Sequence, residues 1–359
     1  MTTITKKPFG TTSTGVDVDL YTLDNGSMKV SITNYGGTVV SILVPDKNGD
    51  MKDVALGYDT IGEYQTRGGF LGALIGRCGN RIEKGEFELN GQTYHLYLND
   101  GNNHLHGGKI GFDKKVWNVE IMKGATGDEL ELKLFSPDGD ENYPGNLNVT
   151  VVYKLTEENG LVIDYRAVSD RDTVCNLTNH TYFNLAGQDS GKNVLDHKLK
   201  LYAEKYTVGN DETLPNGIIA DVVGTPYDFI DYHVIGERIH DDEPGLVSAH
   251  GYDHNWVLNG ADEDDHSDKL PIAAEAVCPE TGIKMAVYTN KPGIQFYCGN
   301  GLSDQVIGKG GVKYQPHAGF CLETQFFPNA MKHKNFPSPV LKAGSLYSFT
   351  TEYRFSVEK

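Results

Sequence analysis

Apolar and polar residues alternate with a period of two along much of the chain, which is the pattern of half-buried β-strands. Residues 16–44 show this alternation first, in the segments VDVDLYTL, SMKVSITNYGG and TVVSILVP. The turn Asp24-Asn25-Gly26 between the first two segments is a hairpin signal, because Asn and Gly adopt the left-handed backbone that tight turns need. Residues 16–44 therefore predict an antiparallel meander.

The same alternation recurs to the end of the chain, whereas helix signals are few. Further predicted hairpins are EFEL with TYHLYL, VWNVEIM with LELKLFS, NLNVTVVYKL with GLVIDYRAVS, and AAEAVC with KMAVYTN. Residues 199–209 predict a strand pair or one long bent strand. One helical turn is expected at 59–64, a helix near 231–239 and a turn near 303–306. This pattern predicts an all-β fold, a large antiparallel sandwich or barrel.

Length and charge limit the classes of function. The chain has 359 residues and a net charge of −17. It shows no internal repeat or low-complexity linker, so we expect one domain over residues 1–359. A strongly acidic chain is repelled by phosphate backbones and anionic lipids, so neither nucleic acid nor a membrane is an expected partner. The acidic run at 262–265 predicts a solvent-exposed turn.

The cysteines and the N-terminus indicate the compartment. Five cysteines, an odd number without a C-x-x-C motif, argue against a disulfide framework and a zinc ribbon. The start MTTITKKPFG lacks the apolar region of a signal peptide, and no apolar run approaches the length of a membrane span. We therefore expect a reduced, cytoplasmic protein that is a monomer or a homodimer.

The stretch NLTNHTYFNLAG, at 176–187, is the first candidate for chemistry. Its aromatic run TYF favours an extended backbone, so His180, Tyr182 and Asn184 should point to one face. Phe183 should then point into the core. A histidine on a polar face can exchange a proton near neutral pH. The alternative is a structural histidine that is hydrogen-bonded in the core.

Two polar clusters flank the predicted EFEL–TYHLYL hairpin. The segment GRCGNR at 76–81 precedes it, and NNHLHGG at 102–108 follows it. Because a hairpin brings its flanks together, Arg81 and His106 can face one cleft. The alternative for the arginines is an ordinary surface ion pair.

Two sets of side chains suggest a metal site, but both are incomplete. His104-x-His106 resembles a cupin-type metal site, yet the position where such a site needs a glutamate is Ile110. A second set with plausible spacing is His250, Asp253 and His254. Spacing in strands and loops is a weak signal, and a metal site needs a complete set of ligands. We therefore expect no metal.

Nucleotide-binding glycine motifs and the G-x-S-x-G elbow are absent from the sequence, which leaves acid/base chemistry. Glu323 lies in CLETQFF, among apolar and aromatic neighbours that would raise the pKa of its carboxyl group. Glu323 and His180 are therefore the candidate acid/base pair. The alternative for Glu323 is an ion-paired glutamate on a strand.

Seven short motifs resemble, in order, those of aldose 1-epimerases (galactose mutarotases). They are GRCGNRI at 76–82, HLHGG at 104–108, ENYPG at 141–145, NHTYFNL at 179–185, GYDH at 251–254, PGIQFY at 292–297 and CLETQ at 321–325. The resemblance covers nearly the whole chain. It implies a galactose mutarotase-like supersandwich, no cofactor, and interconversion of the α and β anomers of hexoses such as galactose and glucose.

The resemblance also implies roles for individual residues. Glu323 resembles the general base of the family and His180 the general acid. The positions that resemble sugar-binding residues are Asn80, Arg81, His106, Asp253 and Gln295. Cys78-Gly79 stands where the family commonly has Val-Ala, and His104 where it commonly has a small polar residue. These departures bear on local packing or selectivity more than on the reaction.

Three other functions stay open at this point. A glycoside hydrolase would use Glu323 and Asp253 as its carboxylate pair. A non-catalytic carbohydrate-binding protein would bind hexose without changing it. An epimerase-like protein for phosphorylated hexoses would need several basic residues in its cleft, which the acidic composition disfavours.

Overall fold

The computed structural model describes residues 1–260 and 270–358 of the chain, so the acidic run at 262–265 lies outside the described residues. The strands are β1 (Thr3–Thr11), β2 (Asp17–Asp24), β3 (Lys29–Thr33), β4 (Thr38–Pro45), β5 (Met51–Asp53), β6 (Leu74–Ile75), β7 (Arg81–Ile82), β8 (Glu86–Leu89), β9 (Gln92–His95), β10 (His104–Leu105), β11 (Asn118–Gly124), β12 (Gly127–Ser136), β13 (Leu147–Leu155), β14 (Gly160–Ser169), β15 (Thr173–Val174), β16 (Thr178–Asn179), β17 (Lys198–Leu201), β18 (Lys205–Gly209), β19 (Pro215–Asp221), β20 (His233–Val234), β21 (Asp253–Val257), β22 (Ile272–Val277), β23 (Ile283–Thr289), β24 (Gly293–Tyr297), β25 (Cys321–Gln325), β26 (Val340–Leu341) and β27 (Leu346–Val357). The helices are α1 (Ile61–Arg67) and α2 (Pro244–Ala249).

Most strands belong to three antiparallel sheets. A nine-stranded sheet has the order β11-β12-β13-β14-β27-β23-β22-β17-β20. One five-stranded sheet is β1-β2-β3-β4-β5, and the other, which carries much of the candidate site, is β19-β18-β21-β24-β25. The remaining strands form four two-stranded sheets: β7 with β10, β8 with β9, β6 with β16, and β15 with β26. The predicted all-β class is confirmed.

The apolar faces of the three sheets meet in one hydrophobic core. Fully buried members of this core, two from each sheet, are Leu23 and Ile42, Val151 and Ile163, and Trp256 and Phe296. The alternation in the sequence has its cause here, because every second side chain of a strand enters the core between the layers. The arrangement is the predicted β-sandwich.

Most predicted hairpins are confirmed, including the meander β2-β3-β4 and the hairpin β8-β9. The helix predicted at 231–239 is wrong. Its segment forms β20, which pairs with β17, followed by a single 3-10 turn, Ile235–Glu237. The main chain of Ile235 also donates to the carbonyl of His197 (2.9 Å). Strand partners in the sheet thus override the weak local preference for helix.

Two further segments differ in detail from the expectation. Residues 199–209 form neither a hairpin nor one strand, because β17 joins the nine-stranded sheet while β18 joins a five-stranded one. The short helix α2 was not predicted. Its start nevertheless carries a local signal, since Pro244 occupies the first turn and the Glu243 carboxylate accepts from the main-chain N–H of Leu246 (3.1 Å).

All five cysteines are free and buried, in keeping with their odd number. Within residues 1–260 and 270–358, no helix combines the length and the apolar character that crossing a membrane requires.

Candidate active site

One face of the β19-β18-β21-β24-β25 sheet is polar and carries the candidate base. Glu323, in the middle of the edge strand β25, lies opposite Gln295 on β24, which lies opposite Asn255 on β21. The next row along these strands contains Cys321, Tyr297 and Asp253. Opposite residues of an antiparallel pair share a face, as do residues two apart. Glu323 and Asp253 therefore project from the same side of the sheet.

His180 follows β16 and is fixed by its main chain. Its N–H donates to the carbonyl of Ala73 (2.9 Å), and its carbonyl accepts from the N–H of Gly72 (2.9 Å). Gly72 has a φ of +75°, and a Cβ atom there would clash with the carbonyl oxygen of Val39. Only glycine allows this close approach, so Gly72 is part of what positions His180.

The predicted directions of the neighbouring side chains are only partly right. Tyr182 lines the same cleft as His180, and Phe183 is fully buried in the core. Asn184 does not share that cleft, because its amide donates to the carbonyls of Lys192 (2.9 Å) and Ala318 (2.8 Å). The β16 ladder ends at Asn179, and in residues 180–184 only Phe183 forms isolated bridges, so no continuous strand pairing imposes alternation on Asn184.

The candidate acid and base lie next to each other. His180 Nε2 is 3.6 Å from Glu323 Oε1, and the side chains are 5% and 2% exposed. His180 Nδ1, on the other side of the ring, lies 3.5 Å from Cys321 Sγ. Glu323 Oε2 is buried and has no hydrogen-bond partner among the described residues. Buried oxygens are normally paired, so the Glu323 carboxyl group, which lines the cleft, retains unused hydrogen-bonding capacity.

Burial determines the charge of this pair. Loss of water lowers the pKa of His180 to about 4. It raises the pKa of Glu323 well above its ordinary value, and Asp253 adds to this rise while Arg81 opposes it. Both shifts favour the neutral forms of the two groups. Burial therefore favours a neutral imidazole beside a protonated carboxyl group over a buried ion pair at this position.

Arg81 connects the hairpin flank to the polar face. Its strand β7 pairs with β10, and Leu105 lies opposite Arg81. Its Nε donates to Asp100 Oδ2 (2.8 Å), and a terminal guanidinium nitrogen lies 3.5 Å from Asp253 Oδ2. The expectation that Arg81 and His106 face one cleft agrees with this geometry.

His106 presents a hydrogen-bond donor to the cleft. Its Nδ1 accepts from the main-chain N–H of Asn80 (3.1 Å), which places the proton of the neutral imidazole on Nε2. Burial lowers the pKa of His106 well below its ordinary value, so the ring stays neutral. Asn80, at a φ of +61°, also accepts from the N–H of Arg81 through its side chain (2.8 Å).

These side chains surround a cleft of about 170 Å³. All the predicted site residues except Gln295 line it, namely Asn80, Arg81, His106, His180, Asp253 and Glu323. A wider hollow of about 430 Å³ adjoins the cleft and shares Arg81, Asp253 and Tyr297 with it. The structure thus brings together residues that are up to 243 positions apart in the sequence (323 minus 80).

Gln295 lies behind Asp253 instead of in the wall of the cleft. Its Nε2 donates to Asp253 Oδ1 (2.7 Å), and its Oε1 accepts from Gln325 (3.4 Å). The Gln295 side chain is almost fully buried. Its contacts indicate that it orients the Asp253 carboxylate.

Sequence reasoning did not select three aromatic residues that line the cleft: Phe70, Tyr182 and Tyr297. Tyr182 was placed on the same face as His180 but given no role. For Tyr297 the usable signal was its position two residues after Gln295 in a predicted strand. For Phe70 the sequence offers only the two glycines that precede it.

Two of the four histidines considered as metal ligands, His104 and His254, are already engaged. His104 has its ring nitrogens 2.7 Å from the carbonyl of Tyr97 and 2.7 Å from the hydroxyl of Tyr143. Both nitrogens of His254 lie 3.1 Å from a polar partner, the N–H of Asp253 and the hydroxyl of Tyr227. These contacts leave neither imidazole a free lone pair for a metal.

A third possible metal set is His106, His180 and Glu323, whose candidate ligand atoms lie within 4.8 Å of one another. The hydrogen bond from Asn80 to His106 Nδ1 keeps the proton on Nε2, the nitrogen that would have to bind the metal. As arranged, the set supplies fewer than the three protein ligands typical of catalytic zinc sites. The same atoms are well suited to proton transfer and to hydrogen bonding with hydroxyl groups.

Comparison with known proteins identifies the family. The model of the aldose 1-epimerase family matches residues 19–354. The chain belongs to the aldose 1-epimerase family. It is 38% identical over 358 residues to galactose mutarotase from Bos taurus, with 99% of this chain and 100% of the relative covered. It is 36% identical over 338 residues to aldose 1-epimerase from Escherichia coli (strain K12), with 93% and 94% covered.

A solved structure agrees with this assignment. The crystal structure of galactose 1-epimerase from Lactobacillus acidophilus NCFM matches with a TM-score of 0.86 and 29% identity, over 100% of both chains. The predicted family, β-sandwich fold and isomerase activity are confirmed, and this aldose 1-epimerase interconverts the anomers of an aldose.

Proposed function

We propose that Glu323 is the general base and His180 the general acid of anomer exchange, and that hexoses such as galactose and glucose are the substrates. The observation that carries this assignment is the 3.6 Å approach of His180 Nε2 to Glu323 Oε1, with Oε2 left unpaired. The name of the bovine relative, galactose mutarotase, supports galactose as a substrate.

Ring opening requires two proton transfers at neighbouring atoms of the sugar. Glu323 removes the proton from the C1 hydroxyl, and His180 delivers a proton to the ring oxygen. The bond between C1 and the ring oxygen breaks, C1 becomes an aldehyde carbon, and the ring oxygen becomes a hydroxyl. Rotation about C1–C2 then presents the other face of the aldehyde, and the reverse transfers close the ring as the other anomer.

The shared proton of the pair fits this sequence of steps. The reactive form has a Glu323 carboxylate and a protonated His180, and it contains the same number of protons as the neutral pair. A C1 hydroxyl that donates to the Glu323 carboxylate stabilises its charged form. Ring opening then returns both groups to their neutral forms, which burial favours. Burial of the pair therefore promotes the proton transfers, and no proton has to come from the solvent.

The other residues of the cleft hold the sugar while C1 turns. His106 donates from Nε2, and Arg81 and Asn80 offer further donors. The Asp253 carboxylate accepts from sugar hydroxyls, and Gln295 keeps it in place. Sugar rings carry both apolar faces and hydroxyl edges, so the aromatic ring of Tyr297 suits one face of the substrate.

We also propose the organisation and location of the protein. A single hydrophobic cluster that includes residues from Tyr21 to Phe355 supports one domain over residues 1–359. Free, buried cysteines support a reducing compartment such as the cytoplasm. A monomer or a homodimer is the expected oligomeric state.

We expect the protein to accelerate the change in optical rotation of freshly dissolved α-galactose and α-glucose. Polarimetry with and without the protein measures this directly. Hexose 6-phosphates should react more slowly, because the phosphate would approach a strongly acidic protein. An aryl galactoside serves as the control, since release of the aryl group would indicate a hydrolase. Acceleration with neither hexose would contradict the proposed substrates.

We expect activity to be independent of divalent metals. His106 donates from the nitrogen that a metal would need, and the acid/base pair is complete without an ion. Exhaustive dialysis against EDTA should therefore leave kcat within about twofold of the value for the untreated enzyme. Such a change is much smaller than the loss of kcat caused by removing a proton-transfer group. Loss of activity that one specific divalent ion restores would favour a metal site at His106, His180 and Glu323.

A further inference from the structure

Phe70 has a backbone conformation that bulky residues rarely adopt. Its φ is +56°, in the left-handed region. It lies in the loop between α1 and β6 and follows Gly68 and Gly69, which also have positive φ. The N–H of Ala73 donates to the Phe70 carbonyl (3.0 Å) and closes the turn. Strained backbone of this kind persists where the surrounding structure holds it, often at functional sites.

This conformation directs the aromatic ring at the cleft. The ring centroid of Phe70 lies 5.9 Å from that of His180, with planes 29° apart. It lies 4.8 Å from the centroid of His106, edge to face. Lys114 Nζ lies 5.2 Å from the centroid of the same Phe70 ring. The ring therefore contacts both histidines of the cleft, while Phe70 itself is half-buried.

We propose that Phe70 is a positioning residue for anomer exchange: its ring shields His180 and His106 from water and holds the plane of His180 so that Nε2 faces Glu323. This inference rests on the proposed role of His180 as the general acid. A glycine or asparagine would suit the left-handed backbone better, but neither would cover an imidazole ring. The strain at Phe70 is thus explained by what its ring covers.

Other charged and titratable groups also face the two histidines. Those facing His180 are Glu323 and Cys321 from β25, Asp253 from β21, Tyr182, Tyr297 and His106. Those facing His106 include Arg81, His104 and Lys114. Replacement of Phe70 changes none of these residues, and the contact it removes from Lys114 belongs to a group that faces His106. A change in the titration of His180 in a Phe70 variant therefore reports the loss of the ring.

The first test compares Phe70→Ala with Phe70→Tyr. NMR of protein labelled in its histidine rings measures the pKa of His180, whose signals are identified by their absence in His180→Asn. In Phe70→Ala this pKa should rise by at least about one pH unit toward its ordinary value, because water reaches the ring. We expect kcat to fall about tenfold with a smaller change in KM, and the acidic limb of the pH–rate profile to move upward. Phe70→Tyr keeps the ring and should restore wild-type behaviour.

The second test uses the backbone strain. Phe70→Gly should lose kcat like Phe70→Ala, yet it should melt at a higher temperature than Phe70→Ala, because glycine adopts a φ of +56° without strain. The matched control is Lys84→Gly, at an exposed position outside the cleft with a φ of +54°. It removes left-handed strain at an unrelated site, and kcat should be unchanged.

Wild-type titration of His180 in Phe70→Ala would overturn the shielding role. A raised pKa with unchanged kcat would overturn the positioning role in the reaction. Whether the general acid itself is wrongly assigned is decided separately by His180→Asn, which does not involve Phe70.

Discussion

Glu323→Gln should reduce the rate of mutarotation at least about a hundredfold while the sugar still binds. The amide has nearly the same shape as the carboxyl group, so the packing of β25 is preserved. It cannot accept the C1 proton, and it cannot become the carboxylate that lies 3.6 Å from His180 in the proposed reactive form. Polarimetry gives kcat, and calorimetry of galactose binding shows whether the cleft still accepts the substrate.

The matched control for this substitution is Glu352→Gln. Glu352 is a buried glutamate on β27 that pairs with Arg354 (2.8 Å) and lies outside the cleft. Its replacement should leave kcat unchanged even where it alters thermal stability. Near-normal turnover by Glu323→Gln would remove Glu323 from the mechanism, whatever the control shows.

The local part of the fold follows from the sequence because it depends on neighbouring residues. Alternation and turn residues suffice for hairpins such as β8-β9, since both strands lie within a few positions of each other. The helix prediction for residues 231–239 is wrong for the opposite reason. Its conformation is decided by pairing of β20 with β17, a partner more than thirty residues earlier in the chain. Local propensity contains no information about such a partner.

In the candidate site, too, some features follow from neighbouring residues and others depend on distant strand partners. Alternation in CLETQ and PGIQFY assigns side chains to faces, but it does not set the register that places Glu323 opposite Gln295. Only that register, together with the turn that anchors His180, brings acid and base into contact. Likewise, the donor character of His106 comes from the main-chain N–H of Asn80. The hydrogen bond from Gln295 to Asp253 also depends on the register between β21 and β24, which the sequence does not set.

His180→Asn should lose most of the turnover number with a smaller change in KM. Asparagine can donate a hydrogen bond to the ring oxygen but cannot transfer a proton. A loss of kcat with little change in KM is the pattern expected when an interaction made only in the transition state is removed. His106→Asn is the matched comparison. If His106 mainly holds a sugar oxygen, a larger share of its effect should appear in KM.

Thermal and pH stability separate this role from a purely structural one. The pKa of His180 is about 4 in the folded chain and about 6.5 when unfolded, so the unfolded chain binds more protons between these values. Wild-type stability should therefore fall as the pH decreases from 6.5 to 4, by up to on the order of 3 kcal/mol from this residue. His180→Asn removes that contribution, so its stability should depend less on pH over the same interval.

Melting temperature and kinetics should be measured on the same preparation of His180→Asn. The hydrogen bonds that fix position 180 run through the main chain to Gly72 and Ala73, so the variant should keep its fold near neutral pH. A folded variant that has lost turnover then identifies His180 as the proton donor. Unchanged melting with wild-type turnover would contradict the general-acid assignment. If the variant is badly destabilised, its loss of turnover no longer identifies the general acid. His106, the other imidazole of the cleft, whose Nε2 carries a proton, then becomes the leading candidate.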